Sequence, residues 1–175
     1  MKDRTECARG QDKERINVRR AIFRLLASRD RSREEVVRKL KEKKFRPEAI
    51  AGEVEWFENQ GLIDDRKFAR SWIFFRLRFR PRAAGLIGRE LREKGVAPEL
   101  ADQLLRQEIT PEKEVEMARE LARRRCRAYR KDDRFSARRK LVAYLGRRGF
   151  SYSTISAVLA EIFTDEFDGY PENIS

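Results

Sequence analysis

One pattern recurs three times along the chain and limits its fold more than any other feature. The segments Ser32-REEVVRKLKEKKF-Arg46, Ala83-AGLIGRELREKGV-Ala97 and Ala137-RRKLVAYLGRRGF-Ser151 share the same spacing of apolar residues. In each, an apolar residue precedes a leucine by four positions (Val36/Leu40, Ile87/Leu91, Leu141/Leu145). Another apolar residue follows five positions later (Phe45, Val96, Phe150). Four residues make one turn of an amphipathic helix, and the later residue anchors the chain after it reverses. The leucines lie roughly fifty residues apart, so three copies of one supersecondary unit occupy most of the chain.

The reversals are readable in chemical terms. Gly95 and Gly149 stand where a helix ends through a left-handed residue, a conformation glycine adopts without steric cost. Lys44 takes that place in the first copy, so its turn is either strained or built differently. Pro47 and Pro98 suit the first turn of a following helix, and Ser151 or Ser153 is placed to cap the third. Ahead of each leucine helix lies a further amphipathic stretch: Ile22/Leu25/Leu26, Phe68/Trp72/Ile73 and Met117/Leu121. Ser32 followed by Glu35 reads as a capping box, which sets a helix break at Arg29 to Arg31. The fold class expected is all-α: three tandem three-helix repeats packed side by side into an elongated, curved rod, because fifty-residue units bury too little to stand alone. The boundaries are a loose N-terminal segment (1–15), repeats at 16–62, 63–109 and 110–163, and an acidic tail (164–175).

Composition excludes several classes of function. The chain has no histidine and two cysteines, Cys7 and Cys126, outside any CxxC pair. That removes His-based nucleophile pairs and most zinc sites, and both thiols are expected to be reduced. No phosphate loop, dinucleotide fingerprint or calcium loop is present. The adjacent acids Asp64 and Asp65 suit helix capping better than metal binding. An enzyme is therefore not expected, nor is a cofactor or a metal. No apolar run is long enough to span a membrane and the N-terminal residues lack a signal-peptide core, so a cytoplasmic protein is expected.

Net charge is +12, with a pI near 10.1. From Glu161 onward there are five acids and no base, so the body is more basic than the total suggests. A polyanion, either nucleic acid or an acidic protein surface, is the expected counterpart; the plainer reading is that arginine merely solvates long helices. Two segments stand out. Trp72-IFFRLRFRPR-Ala83 interleaves Phe74, Phe75 and Phe79 with Arg76, Arg78, Arg80 and Arg82. The arginines are candidates for partner binding. The phenylalanines are read first as structural, buried on two faces of a central helix, and otherwise as a stacking surface. In the third repeat, Arg123, Arg124, Arg127, Arg130 and Lys131, followed by Arg138, Arg139, Arg147 and Arg148, form a second candidate surface.

The run Gly61-LIDDRKFA, then Arg76, then Arg89-ELREKG resembles the middle repeat of the RecX family, and Ser32-REEVVRKLKEKKF resembles that family's first repeat, with Lys44 in place of its usual glycine. The third repeat matches by period more than by motif. The resemblance covers roughly residues 19–163. It implies a regulator, acting in DNA repair and the SOS response, that binds the groove of the RecA filament, bridges its subunits, lowers its ATPase and strand-exchange activity and promotes its disassembly. The partners expected are the RecA filament and single- or double-stranded DNA, with no membrane, the protein itself being a monomer. Two alternatives stand beside it: a general DNA-binding protein acting without RecA, and an adaptor for an acidic protein. The phenylalanine-rich stretch and the acidic tail are not attributed to the family.

Overall fold

A computed structural model describes residues 2–129 and 131–165, with side chains from Asp12 to Thr164. Cys7, Arg130 and the acidic tail beyond Asp165 lie outside those described side chains. Among the described residues there are nine α-helices and no strand. They are α1 (Lys2–Leu26), α2 (Arg33–Glu42), α3 (Pro47–Asn59), α4 (Asp65–Phe79), α5 (Ala84–Glu93), α6 (Pro98–Glu108), α7 (Pro111–Cys126), α8 (Arg134–Gly146) and α9 (Tyr152–Asp165). None of these helices is long and apolar enough to cross a membrane.

The three leucine pairs behave as their spacing requires: Val36, Leu40, Ile87, Leu91, Leu141 and Leu145 are all fully buried. The turns also obey the chemistry of the left-handed region. Gly61, Gly95 and Gly149 have φ of 65°, 83° and 85°, and Lys44 takes the same conformation at φ 62°. A side chain there costs about 1 kcal/mol or more, so the first repeat carries a strained turn that the other two avoid.

The helices fall into two compact units that divide the middle repeat between them. One holds the chain up to Phe74 together with Arg89–Leu104; the other holds Phe75–Gly88 and the chain from Leu105 onward. In the first, α1, α2 and α3 pack on one another around Val18, Ile22, Leu40, Ile50, Val54 and Phe57. In the second, α7, α8 and α9 enclose Ala122, Leu141, Leu145, Val158, Leu159 and Ile162, and buried Ala83 joins that core.

Polar contacts tie the first unit together at positions periodicity does not reveal. Ser32 accepts from the Glu35 amide at 3.1 Å, one half of the expected capping box. The other half is absent. Instead of turning back to the cap, the buried Glu35 carboxylate accepts from Arg29 at 2.9 and 3.0 Å and from Lys94 at 2.9 Å, while the Ser32 hydroxyl donates to the Lys94 carbonyl. Burial alone would raise the Glu35 pKa; the bonds from Arg29 and Lys94 outweigh it and hold the carboxyl at about 2. Lys94 also lies 4.3 Å from the Trp72 ring centre, and the Trp72 indole donates to Glu90 at 2.9 Å.

The adjacent aspartates divide their work. Asp64 caps α4 by accepting from the amides of Arg66 (2.8 Å) and Lys67 (3.1 Å). Asp65 accepts from the Arg33 amide at 2.8 Å, supplying an acceptor at the start of α2. Burial pushes the Asp65 carboxyl above its ordinary value, against the pull of that amide.

Two expectations need correction. Residues 2–15 belong to α1, where a loose segment was expected. The helix there has few apolar residues to betray it, and ion pairs hold it from Glu14 onward. Arg15 and Arg19 close on Glu53, which is 1% exposed, at 3.1 and 2.7 Å, and Glu14 accepts from the Arg46 amide at 2.9 Å. The phenylalanines of α4 are not buried on two faces: Phe74, Phe75 and Phe79 are 66%, 42% and 64% exposed. Phe68, Ala69 and Ile73 supply the buried stripe of that helix, and one stripe is all it hides.

Candidate polyanion-facing cleft

A cleft of about 460 Å³ opens in the second unit, lined by Phe79, Arg80, Pro81, Arg82, Leu121, Arg124, Tyr144, Arg147 and Arg148. Five of the nine residues are arginines and none is acidic. Guanidinium groups stay charged at any physiological pH, so their convergence without a carboxylate in the lining is a concentrated positive field.

The backbone holds this convergence in place. The linker after α4 carries Arg80 and Arg82, and two bonds pin its far end. The Ala83 amide donates to the Arg148 carbonyl at 2.9 Å, and the Ala84 amide donates to Glu114 at 3.1 Å. Gly149 brings the α8–α9 reversal close to α5: a Cβ added there would lie 2.8 Å from the Leu86 Cβ. The linker arginines therefore face Arg147 and Arg148 at the end of α8, with Arg124 contributed by α7. On the cleft wall the Arg148 guanidinium sits 3.9 Å from the Tyr144 ring centre, and Arg125 lies 5.4 Å from the same ring. Stacking of this kind orders a long side chain without neutralising it.

Of the residues singled out from sequence, the cleft gathers Arg80, Arg82, Arg124, Arg147 and Arg148. It leaves out Arg76 and Arg78 on α4, Arg123 on α7, Arg127 in the 3-10 turn that follows, Lys131, and Arg138 and Arg139 on α8. Except for half-buried Arg76, these are exposed. Arg124 also meets Glu120 at 3.3 Å in an exposed pair one helical turn away, an interaction worth only a few tenths of a kcal/mol. Tyr144 was missed by sequence reading, and Leu121 was read only as an apolar position of its helix. For Tyr144 a signal existed, since it lies three and four residues before Arg147 and Arg148 and so shares their helical face. The first acid of the acidic run is already engaged: Glu161 accepts from Arg119 at 2.7 Å, which holds its carboxyl below the usual range.

Models of the first, second and third three-helix domains of RecX match residues 19–56, 64–105 and 112–159. The chain belongs to the RecX family. A regulatory protein RecX of Streptomyces coelicolor is 35% identical over 152 residues, covering 86% of this chain and 80% of that one. The RecX of Chlorobium phaeobacteroides is 33% identical over 141 residues, covering 81% and 90%. A crystal structure of RecX from Lactobacillus salivarius superposes with a TM-score of 0.76 over 87% of this chain and 99% of that one, at 22% identity. The three family domains fall within the three repeats expected from the leucine period, and the third is matched although its motif was the weakest in the sequence. The RecX relatives are named as regulatory proteins.

Proposed function

We propose that this RecX-family chain is a non-catalytic, monomeric cytoplasmic regulator that binds the RecA nucleoprotein filament, lowers its ATPase and recombinase activity, and so modulates DNA repair and the SOS response. The observation that carries the proposal is the pairing of family membership with an arginine cleft that no acid lines. A filament of protein on DNA offers phosphates and acidic side chains together, and guanidinium groups suit both. The direct test is ATP hydrolysis by RecA on single-stranded DNA. Substoichiometric amounts of this chain should slow turnover, and an Arg80→Ala, Arg147→Ala variant should slow it less. Unchanged turnover with the wild-type chain sinks the proposal.

A further inference from the structure

Two aromatic rings at the cleft expose part of their faces. Phe79 lines the cleft and is 64% exposed; Phe75, one turn earlier on α4 and 42% exposed, packs its ring 5.3 Å from that of Phe79. Exposed apolar side chains that touch one another and are rimmed by charge are the kind of surface a binding partner covers. Their setting narrows the ligand. Arginines at Arg80, Arg124, Arg147 and Arg148 attract phosphates or carboxylates alike, but a flat ring next to them adds a demand for a second flat, apolar face.

We propose that Phe75 and Phe79 form a base-stacking shelf beside the arginine cleft, so that this unit grips single-stranded nucleic acid in preference to duplex. A single strand presents phosphates and unstacked base faces together, so its backbone can follow the arginines while a base covers the shelf. A duplex hides its base faces within the helical stack and offers only phosphates, leaving both rings in water. An acidic peptide satisfies the arginines but makes no systematic use of paired rings. The shelf is thus the part that discriminates, and the arginines are the part that attracts. This inference rests on the reading that the cleft faces a polyanion.

The test uses the full chain without RecA. Fluorescence anisotropy is measured with a labelled oligothymidine of roughly 16 nucleotides and with a duplex of matched length. The wild type should bind the single strand more tightly. Phe75→Ala with Phe79→Ala should weaken single-strand binding by about tenfold or more while leaving duplex binding and the melting temperature unchanged, and Phe79→Trp should retain the single-strand preference. Arg80→Ala with Arg147→Ala should weaken both ligands and flatten the log affinity against log salt plot by about 0.7 for each single-strand phosphate that is no longer neutralised. Equal single-strand binding by the double-alanine variant overturns the shelf. So does duplex binding as tight as single-strand binding in the wild type, or displacement of the oligonucleotide by polyglutamate as readily as by unlabelled strand. The RecA assay separates the two proposals: slowed RecA turnover without single-strand preference overturns this inference alone, whereas single-strand preference with unaltered RecA turnover overturns only the proposed function.

Discussion

In the unit built on the first repeat, arginines surround carboxylates: Arg15 and Arg19 close on Glu53, Arg29 on Glu35 and Arg46 on Glu14. In the unit built on the third, Arg80, Arg82, Arg124, Arg147 and Arg148 line a cleft whose lining includes no acid. The same side chain serves cohesion in one place and is gathered into a positive field in the other. Arginine content therefore says little about function until the position of the acids is known.

The largest effect that could break this contrast is expected at Glu35. Replacing it with alanine removes the shared acceptor of Arg29 and Lys94 and should lower the unfolding free energy by about 2–3 kcal/mol, measured by urea denaturation. Since its folded pKa is depressed to about 2, the stability it confers is complete above its ordinary value near 4.5 and disappears as pH falls toward 2. Half-exposed Arg29 screens the interaction, so about 2 kcal/mol should be lost across that window, and Glu35→Gln should flatten the acid limb of the stability profile. If the acid limb of the variant matches wild type, the cluster is not what holds this unit.

A smaller effect tests the turns. Lys44→Gly should raise stability by up to about 1 kcal/mol, seen as an increase in melting temperature, because glycine relieves the strain at φ 62°. The gain is limited by the extra freedom that glycine brings to the unfolded chain. A decrease would mean that Lys44 makes an interaction worth more than the strain.

The smallest effect sharpens the contrast from the other side. Arg80→Ala with Arg147→Ala should leave the unfolding free energy within about 0.5 kcal/mol of wild type, since both side chains are exposed and hold no buried acid. A loss of several kcal/mol would make the cleft a structural element, like the arginine clusters of the first unit.

What the sequence discloses is the part of the fold that repeats. Leu40, Leu91 and Leu145 mark the buried helices by period alone, and Gly95 and Gly149 mark the reversals because only certain residues take that backbone conformation without strain. The family motifs lie at the same places. Partnerships without a period stayed hidden: Glu35 finds Lys94 at a separation of 59 residues, and no local rule joins a carboxylate to an ammonium so far along the chain. The early start of α1 was concealed because residues 2–15 are almost wholly polar, and periodicity counts only apolar residues. Phe75 and Phe79 were misread for the opposite reason. An apolar residue in a helix is usually turned inward, and pattern alone does not distinguish a second buried face from one left in water.

The arrangement around Glu35 also bears on how the chain matures as it leaves the ribosome. The first three helices are complete by Asn59, yet the acceptor for the Arg33 amide is Asp65, and both the ammonium for Glu35 and the carbonyl for the Ser32 hydroxyl come from Lys94. A nascent chain that has exposed only its first repeat holds a carboxylate lacking one of its two cationic partners and a hydroxyl without its carbonyl acceptor. The opening third of the molecule therefore reaches its final stability only after the next third has been synthesised, and its folding is finished by residues not yet made when it begins.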